Sequence, residues 1–393
     1  MLIAISAVTY KGRAPKEDYD QLMSFLDEVF FTEDNPETRR DFLRLLPKLY
    51  KPEYDPCSNN IVIKEGDSIK AAVGLFYDTV MAGGEKLRCG GIGNVAVGLD
   101  SRSKGYMIEC MNMAVEDMIE SGADFGLLGG QRQRYAYFGF EPGGSRYDFS
   151  LNTSNIRHCF GKDAKSGLEI KKLTADDTEL LKQIDEMYKS EPYYVVHEPE
   201  KMFDILCSWR SVPYAALKDG ELKGLLILNF EGGLAVFKAK DAQSIDSLIL
   251  AAFELTEARS IEISVAPYDK PAIKRLLEIA EGCAIRRSNC YTVLNYKKMV
   301  KALMQAKSEK VRLANGSLTL SVKGYAGDEK FKIRVNGGDI SVIESKGKAD
   351  FELDHGQAMR FLFSHLSAER EGFTTAAAQW FPLPLNTVSF DSV

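Results

Sequence analysis

The chain has 393 residues, a formal net charge of −6, 45% hydrophobic and 27% charged residues, a composition that suits a globular protein of two to three domains. The acidic balance argues against a general nucleic-acid surface, and no apolar run approaches the roughly 20 residues that span a bilayer. Seven cysteines without a CxxC pair are expected as reduced, mostly buried thiols of a cytoplasmic protein, and four histidines without HExxH or paired spacing argue against a metal site.

In chain order, the apolar start at residues 1–8 lacks a basic leader and a cleavage site, and it reads as a first strand. Tyr19, Leu22, Met23, Leu26, Val29 and Phe30 recur at helical spacing. Asn35-Pro36 reads as an N-cap followed by Pro at the first helical position, opening a helix through Leu49. Residues 60–64 and 69–80 flank a Glu65-Gly66-Asp67-Ser68 turn and predict a hairpin, and 87–98 predict the next strand.

That strand runs into Arg102-Ser103-Lys104-Gly105, and a helix follows at once. Its predicted apolar face is Tyr106, Ile108, Met111, Met113, Val115, Met118 and Ile119, and it stops at Ser121-Gly122. A strand, a basic Gly loop and a helix N-terminus make a phosphate cradle, because the first N–H groups of a helix are unpaired and the dipole adds partial positive charge. The spacing fits neither a Walker loop nor a dinucleotide fingerprint. Downstream, 124–128 read as a buried strand, followed by Gly129-Gly130-Gln131-Arg132-Gln133-Arg134-Tyr135-Ala136-Tyr137-Phe138-Gly139-Phe140.

Val-x-Val followed by Arg-x-x-Gly opening a helix resembles the coenzyme A signature of the GCN5-related N-acetyltransferases (GNATs). Met107 stands where that signature usually has Gly or Ala. Tyr135-x-x-x-Gly139-Phe140 resembles the end of the GNAT core, at a suitable interval from Gly105. On this resemblance the chain up to about Ser150 is one complete GNAT domain.

From Leu168 the pattern restarts with a strand, a Thr174-x-x-Asp177 capping box, a helix bearing Leu180, Leu181, Ile184 and Met187, and a hairpin around Lys218-Asp219-Gly220-Glu221. We read an internal duplication. Where the cradle should recur the chain has Ala239-Lys240-Asp241-Ala242-Gln243-Ser244-Ile245-Asp246, without Gly and with two carboxylates, so the second unit is expected to hold no cofactor and to serve as scaffold and pocket wall. After a helix near 299–306 come short strands at 318–322, 331–335, 340–344 and 349–353, and a helix capped by Asp354. This last part resembles sterol-carrier-protein-2-like domains. The whole order resembles the enhanced intracellular survival (Eis) acetyltransferases. The fold class is thus α/β (α+β): a catalytic GNAT domain over 1–155, a degenerate GNAT-like domain over 156–297, and a sterol-carrier-like domain over 298–393.

The resemblance implies acetyl-CoA as co-substrate and a primary amine (aminoglycoside-like, polyamine or lysine, on a small molecule or peptide) as acceptor. It implies that the backbones of Val95, Ala96 and Val97 hold the pantetheine arm. Arg102, Ser103, Lys104, Gly105, Tyr106, Met107 and Ile108 would hold the pyrophosphate, and Gln131 would touch the cofactor. Tyr135 is the candidate acid for the leaving thiolate, with a core aromatic as the plain alternative. The candidate base is the Val393 carboxylate, since Eis-type enzymes use their own C-terminus, although the family commonly ends in an aromatic residue. Arg132 and Arg134 are candidates for the coenzyme phosphates, and Asp27, Glu28, Glu33 or Asp34 for a cationic substrate, with a surface role as the alternative for each. The family forms hexamers. The competing readings are a non-catalytic acetyl-CoA-binding protein and an apolar-ligand carrier working through the C-terminal domain.

Overall fold

The structure is a computed structural model that describes residues 8–30, 41–371 and 376–393. The helix start at Asn35-Pro36, Glu33, Asp34 and most of the strand expected over 1–8 lie outside the described residues.

The first unit contains β1 (Val8–Arg13), α1 (Tyr19–Val29), the short helices α2 (Phe42–Leu45) and α3 (Pro47–Tyr50), β2 (Asn60–Glu65), β3 (Ser68–Ala82), β4 (Glu85–Val97), α4 (Tyr106–Glu120), β5 (Phe125–Leu128), α5 (Arg132–Tyr135), β6 (Glu141–Gly143) and β7 (Arg146–Asn152). Strands β1 to β4 pair antiparallel, and β5 lies parallel to β4. Alternation along β3 decides its two faces. Ala71, Val73 and Leu75 pack with α4, whereas Ala72, Phe76 and Val80 join the core that holds Leu22 and Leu26 of α1. The buried face of α4 is Tyr106, Cys110, Met111, Ala114, Val115 and Met118. Ile108 and Ile119, expected on that face, are exposed instead, because the stripe advances by four and three residues and leaves both positions beside it.

The second unit contains α6 (Thr153–Phe160), β8 (Glu169–Lys172), α7 (Thr178–Lys189), β9 (Tyr193–Val195), α8 (Met202–Leu206), β10 (Val212–Lys218), β11 (Glu221–Leu228), β12 (Leu234–Ala239), α9 (Ile245–Thr256), β13 (Ser260–Val265), α10 (Lys270–Ile279), β14 (Gly282–Arg286) and β15 (Asn289–Val293). Helix α7 begins four residues beyond Thr174. Asp177 is its N-cap residue, and the Asp177 carboxylate turns back to accept from the Thr174 backbone N–H at 2.9 Å.

The expected cut between the first two units does not divide the sheets. The first sheet runs β1-β2-β3-β4-β5-β15-β6, so β15 of the later segment is inserted between β5 and β6. Strand β7 leaves in exchange and pairs with β13 and β14. The first unit is therefore not complete at Ser150. Each exchanged strand buries its apolar side in the other unit: Phe149 and Leu151 in the second core, Tyr291 and Val293 in the first. Strand β9 crosses as well and pairs with the end of β3.

The last unit contains α11 (Tyr296–Ser308), β16 (Gly316–Lys323), β17 (Asp328–Asn336), β18 (Asp339–Glu344), β19 (Phe351–Asp354) and α12 (His355–Phe363), with the sheet order β18-β17-β16-β19. Asp354 and Gln357 form a reciprocal capping box on α12. Leu318, Leu320, Phe331, Ile333, Phe361 and Leu362 fill the space between sheet and helix. From there the tail crosses all three units. The Trp380 indole donates to the Ala314 carbonyl at 2.9 Å, Lys307 donates to the carbonyls of Gln379, Trp380 and Pro382, and Ser145 N–H donates to the Leu385 carbonyl. Among the described residues no helix is long and apolar enough to cross a membrane, and no cluster of His, Cys, Asp or Glu could hold a metal ion. All seven cysteines are free, and four of them are buried.

Candidate active site

The site is organised by a bulge in β4. Pairing of β4 with β5 runs from Cys89 to Ile92 and stops there. Pairing with β3 slips at the same place, with Gly74 opposite Gly93 and Ala72 opposite Ala96. Asn94 sits at φ +38, and its side chain folds over Gly74, where a Cβ would lie 2.1 Å from the Asn94 Oδ1. Tyr50 donates to that Oδ1 at 2.5 Å, and the Asn94 amide donates to Asn60 Oδ1 at 2.8 Å. Beyond the bulge, Val95, Ala96 and Val97 have no strand partner on the β5 side among the described residues, so their backbone edge is open there to an amide-bearing ligand.

The cradle lies at the end of that strand. Gly105 takes φ +83 and precedes α4, which has no side-chain cap, so its first N–H groups are open to an anion. Nothing lies within 4 Å of a Cβ built at Gly105. Met107 packs partly buried against the core behind the helix, so the side chain in place of the usual Gly or Ala does not fill the cradle. Arg102 and Ser103 are exposed. Lys104 departs from expectation: its ammonium lies 2.8 Å from Glu65, which also accepts from the Tyr106 hydroxyl. The residues present fit a pyrophosphate, held by backbone N–H groups and Arg102 rather than by Lys104. Arg102→Ala is expected to weaken acetyl-CoA binding by about tenfold, the worth of one charge-assisted hydrogen bond, and Lys104→Ala by much less. Titration of each variant with the coenzyme by calorimetry separates the two.

The Tyr-x-x-x-Gly-Phe turn follows β5. Tyr135 closes α5 with its ring against Gly130, where a Cβ would lie 2.3 Å from the ring. The Tyr135 side chain is buried, and burial raises its pKa against a smaller lowering by Arg134, so the hydroxyl is protonated at neutral pH. Tyr137 is 73% exposed and lies outside the site. Arg132 is engaged by a bidentate pair with Glu141 at 2.6 and 2.8 Å, so it is not free for a phosphate. Arg134 and Gln131 are exposed at the same turn. The turn is braced from the last unit, where the His355 ring lies between the Gly139 carbonyl at 2.7 Å and the Tyr296 hydroxyl at 2.9 Å.

The tail ends in the first unit. Gly91 and Gly93 share one face of β4, and Val393 lies on it. A Cβ at Gly91 would come within 2.8 Å of a Val393 methyl, and one at Gly93 within 3.2 Å of the Val393 carboxyl carbon. The run Gly90-Gly91-Ile92-Gly93 inside an apolar strand is the sequence signal of this close approach. Beside Val393 a cavity of about 240 Å³ is lined by Lys48, Phe76, Asp78, His197, Lys201 and Asp391, among others. None of these was singled out by sequence reasoning, since they come from four separate segments.

The cavity is rich in charge. Burial raises the Asp78 carboxyl pKa, partly countered by Lys48. Burial lowers the Lys48 pKa, opposed by Asp391 and Asp78, and its ammonium donates to the Phe390 carbonyl at 2.5 Å. His197 bridges two carboxylates, with Nε2 2.8 Å from Asp391 and Nδ1 3.3 Å from Asp185. Burial pulls its pKa down, but the Asp391 and Asp185 carboxylates carry it up to about 9. A pKa raised on folding gives stability that is complete below the ordinary value of about 6.5 and is lost as pH rises through the folded value. Stability is thus expected to fall between pH 7 and 10 more steeply in the native protein than in His197→Gln, as read by denaturant midpoints across that range. Of the described candidates for a cationic substrate, Asp27 accepts from the Phe42 N–H at 3.1 Å, and Glu28 is exposed.

A mixed α/β chain with a bulged, splayed β4, an uncapped helix N-terminus and a buried tyrosine after β5 has the architecture of an acyltransferase. Residues 12–143 match the acetyltransferase (GNAT) domain family, so the chain carries a GNAT acetyltransferase domain. No curated protein matches the sequence. The fold is similar over the whole length to a GCN5-related N-acetyltransferase from Kribbella flavida, with a TM-score of 0.65, 16% identity and 100% of both chains covered. A GCN5-related N-acetyltransferase from Anabaena variabilis has a TM-score of 0.66 and 15% identity, with 96% of this chain and 98% of that one covered. Eis1 from Mycobacterium abscessus has a TM-score of 0.58 and 12% identity, with 88% of this chain and 86% of that one covered.

Proposed function

We propose that the protein transfers the acetyl group of acetyl-CoA to a primary amine by direct attack, with Tyr135 as general acid and the Val393 carboxylate as base. The observation that carries this reading is the placement of the Val393 carboxyl against Gly93, at the point where β4 parts from β5. Acetyl-CoA supplies the acetyl group activated as a thioester. The cradle at Arg102 to Ile108 and the open edge of Val95 to Val97 hold and orient it, and such orientation supplies roughly 7–11 kcal/mol of a barrier. The Val393 carboxylate takes a proton from the substrate ammonium, and the freed nitrogen bonds to the acetyl carbon as the carbon–sulfur bond breaks. Tyr135 gives its proton to the departing sulfur, and the acylated nitrogen sheds its remaining extra proton to solvent, from which Tyr135 is reprotonated, so that neutral amide and free thiol result.

The acceptor we favour is an aminoglycoside-like, polyamine or lysine amine, on two grounds. The cavity beside Val393 contains the carboxylate of Asp78, suited to a second ammonium, and the fold resembles that of Eis1. The last unit acts as a brace for the Tyr135 turn and a root for the tail. Free thiol produced from acetyl-CoA with a panel of such amines tests the reading. Tyr135→Phe is expected to lower kcat by about 10²–10⁴ with little change in coenzyme affinity. A Tyr135→Phe variant as fast as the native protein would remove the acid role.

A further inference from the structure

The second unit, read from its sequence as a duplication, has no Gly-containing basic loop after β12. Strands β12 and β13 share no ladder pairing and belong to different sheets. The N-terminus of the helical segment after β12 is closed by its own chain, where Asp241 accepts from the Ser244 N–H at 2.9 Å and from its hydroxyl at 2.7 Å. The Asp241 carboxylate thus stands where an anion would have to sit. What the second unit does receive is the C-terminal tail. Residues 386–389 wall the cavity beside β12 and β13. The Phe390 ring is buried in the core of α7, α8, β10 and β11, edge-on to Tyr188 at 5.2 Å. Asp391 then meets His197, and His197 meets Asp185 on α7. Only Ser392 separates this contact from the Val393 carboxylate at Gly93.

The three anchors are chemically complementary. Bridging two carboxylates requires both imidazole nitrogens to carry a proton, and neither Lys nor Gln offers two donors at opposite ends of a rigid ring. His197 is buried, so water does not compete for either contact. Lys48 of the first unit holds the Phe390 carbonyl from the other side. The further charged groups facing the cluster are Lys189, which pairs with Asp185, together with Asp78 and Lys201.

Resting on the reading of Val393 as the base, we infer that the second unit is the receptor for the C-terminal tail, and that His197, clamped between Asp185 and Asp391, is the positioning residue that sets the Val393 carboxylate over Gly93. His197 does not touch the reacting atoms; it acts through Asp391.

The test uses the full chain. Carboxypeptidase release of Val393 is followed by mass spectrometry for the native protein, His197→Gln and Asp185→Asn, alongside coenzyme binding and thiol production. Asp185→Asn keeps an acceptor for Nδ1 and removes only a charge, so it remains informative where His197→Gln folds poorly. Release at least about tenfold faster in the variants, with unchanged acetyl-CoA affinity and a kcat lowered at least about tenfold, is the expected result. Release at the native rate in both variants would overturn the clamp, whatever the activity. Faster release with undiminished thiol production would uphold the clamp and refute Val393 as the base.

Discussion

Deleting Val393 alone is expected to lower kcat by about 10²–10⁴, the usual worth of a general base, while acetyl-CoA affinity stays near that of the native protein. The deletion moves the terminal carboxylate back to Ser392, by up to about 3.3 Å along the chain, which is further than proton transfer tolerates. The anchors upstream survive, because Phe390 and Asp391 remain in their sites in the second unit. The cradle is a separate structure at the N-terminus of α4, so coenzyme binding reports that the fold is intact. Val393→Ala is the matched control. It keeps the carboxylate and removes only the methyl groups that rest on Gly91, so its kcat is expected within about tenfold of native. Equal loss in both variants would assign the effect to packing rather than to the carboxylate. A deletion variant as active as the native protein would remove Val393 from the chemistry.

The largest effect on stability is expected at the other end of the tail. Trp380 is fully buried, and its indole N–H bonds the Ala314 carbonyl at 2.9 Å. Trp380→Ala empties the space of a large side chain beside Phe381 and leaves that carbonyl without its donor. A cost of about 3–5 kcal/mol is expected, read as a lower denaturant midpoint. The loss lies where the tail leaves the last sheet, so carboxypeptidase release of Val393 is also expected to quicken. A variant as stable as the native protein would mean that the tail is held by its tip alone.

The elements set by local chemistry were legible in the sequence. The β2–β3 hairpin, the start of α4 at Tyr106 and the Asp354 cap follow from periodicity, turn residues and caps within a few positions, whereas the Tyr135 motif was read only from family resemblance. The strand exchange was not legible, because β7 and β15 are both short strands that follow a strand and a helix and carry apolar residues, with nothing local to say which sheet each joins. Either could complete either sheet, and the crossover is decided by packing far away in sequence. The binding of Lys104 to Glu65 was hidden for a similar reason, since a basic residue in a Gly loop looks the same whether it faces a phosphate or a neighbouring strand. His197 was passed over because its partners, Asp185 and Asp391, lie 12 and 194 residues away. The tail position was expected only from family resemblance, although the glycines at 90, 91 and 93 mark β4 as a strand that something approaches closely.

The most direct measurement of the central claim is the release of free thiol from acetyl-CoA by the purified protein, with and without aminoglycoside, polyamine and lysine-peptide amines. Release that depends on an amine, with acetylated amine formed in equal amount, is the result the account predicts. Tight acetyl-CoA binding without amine-dependent thiol release on any of them would contradict it.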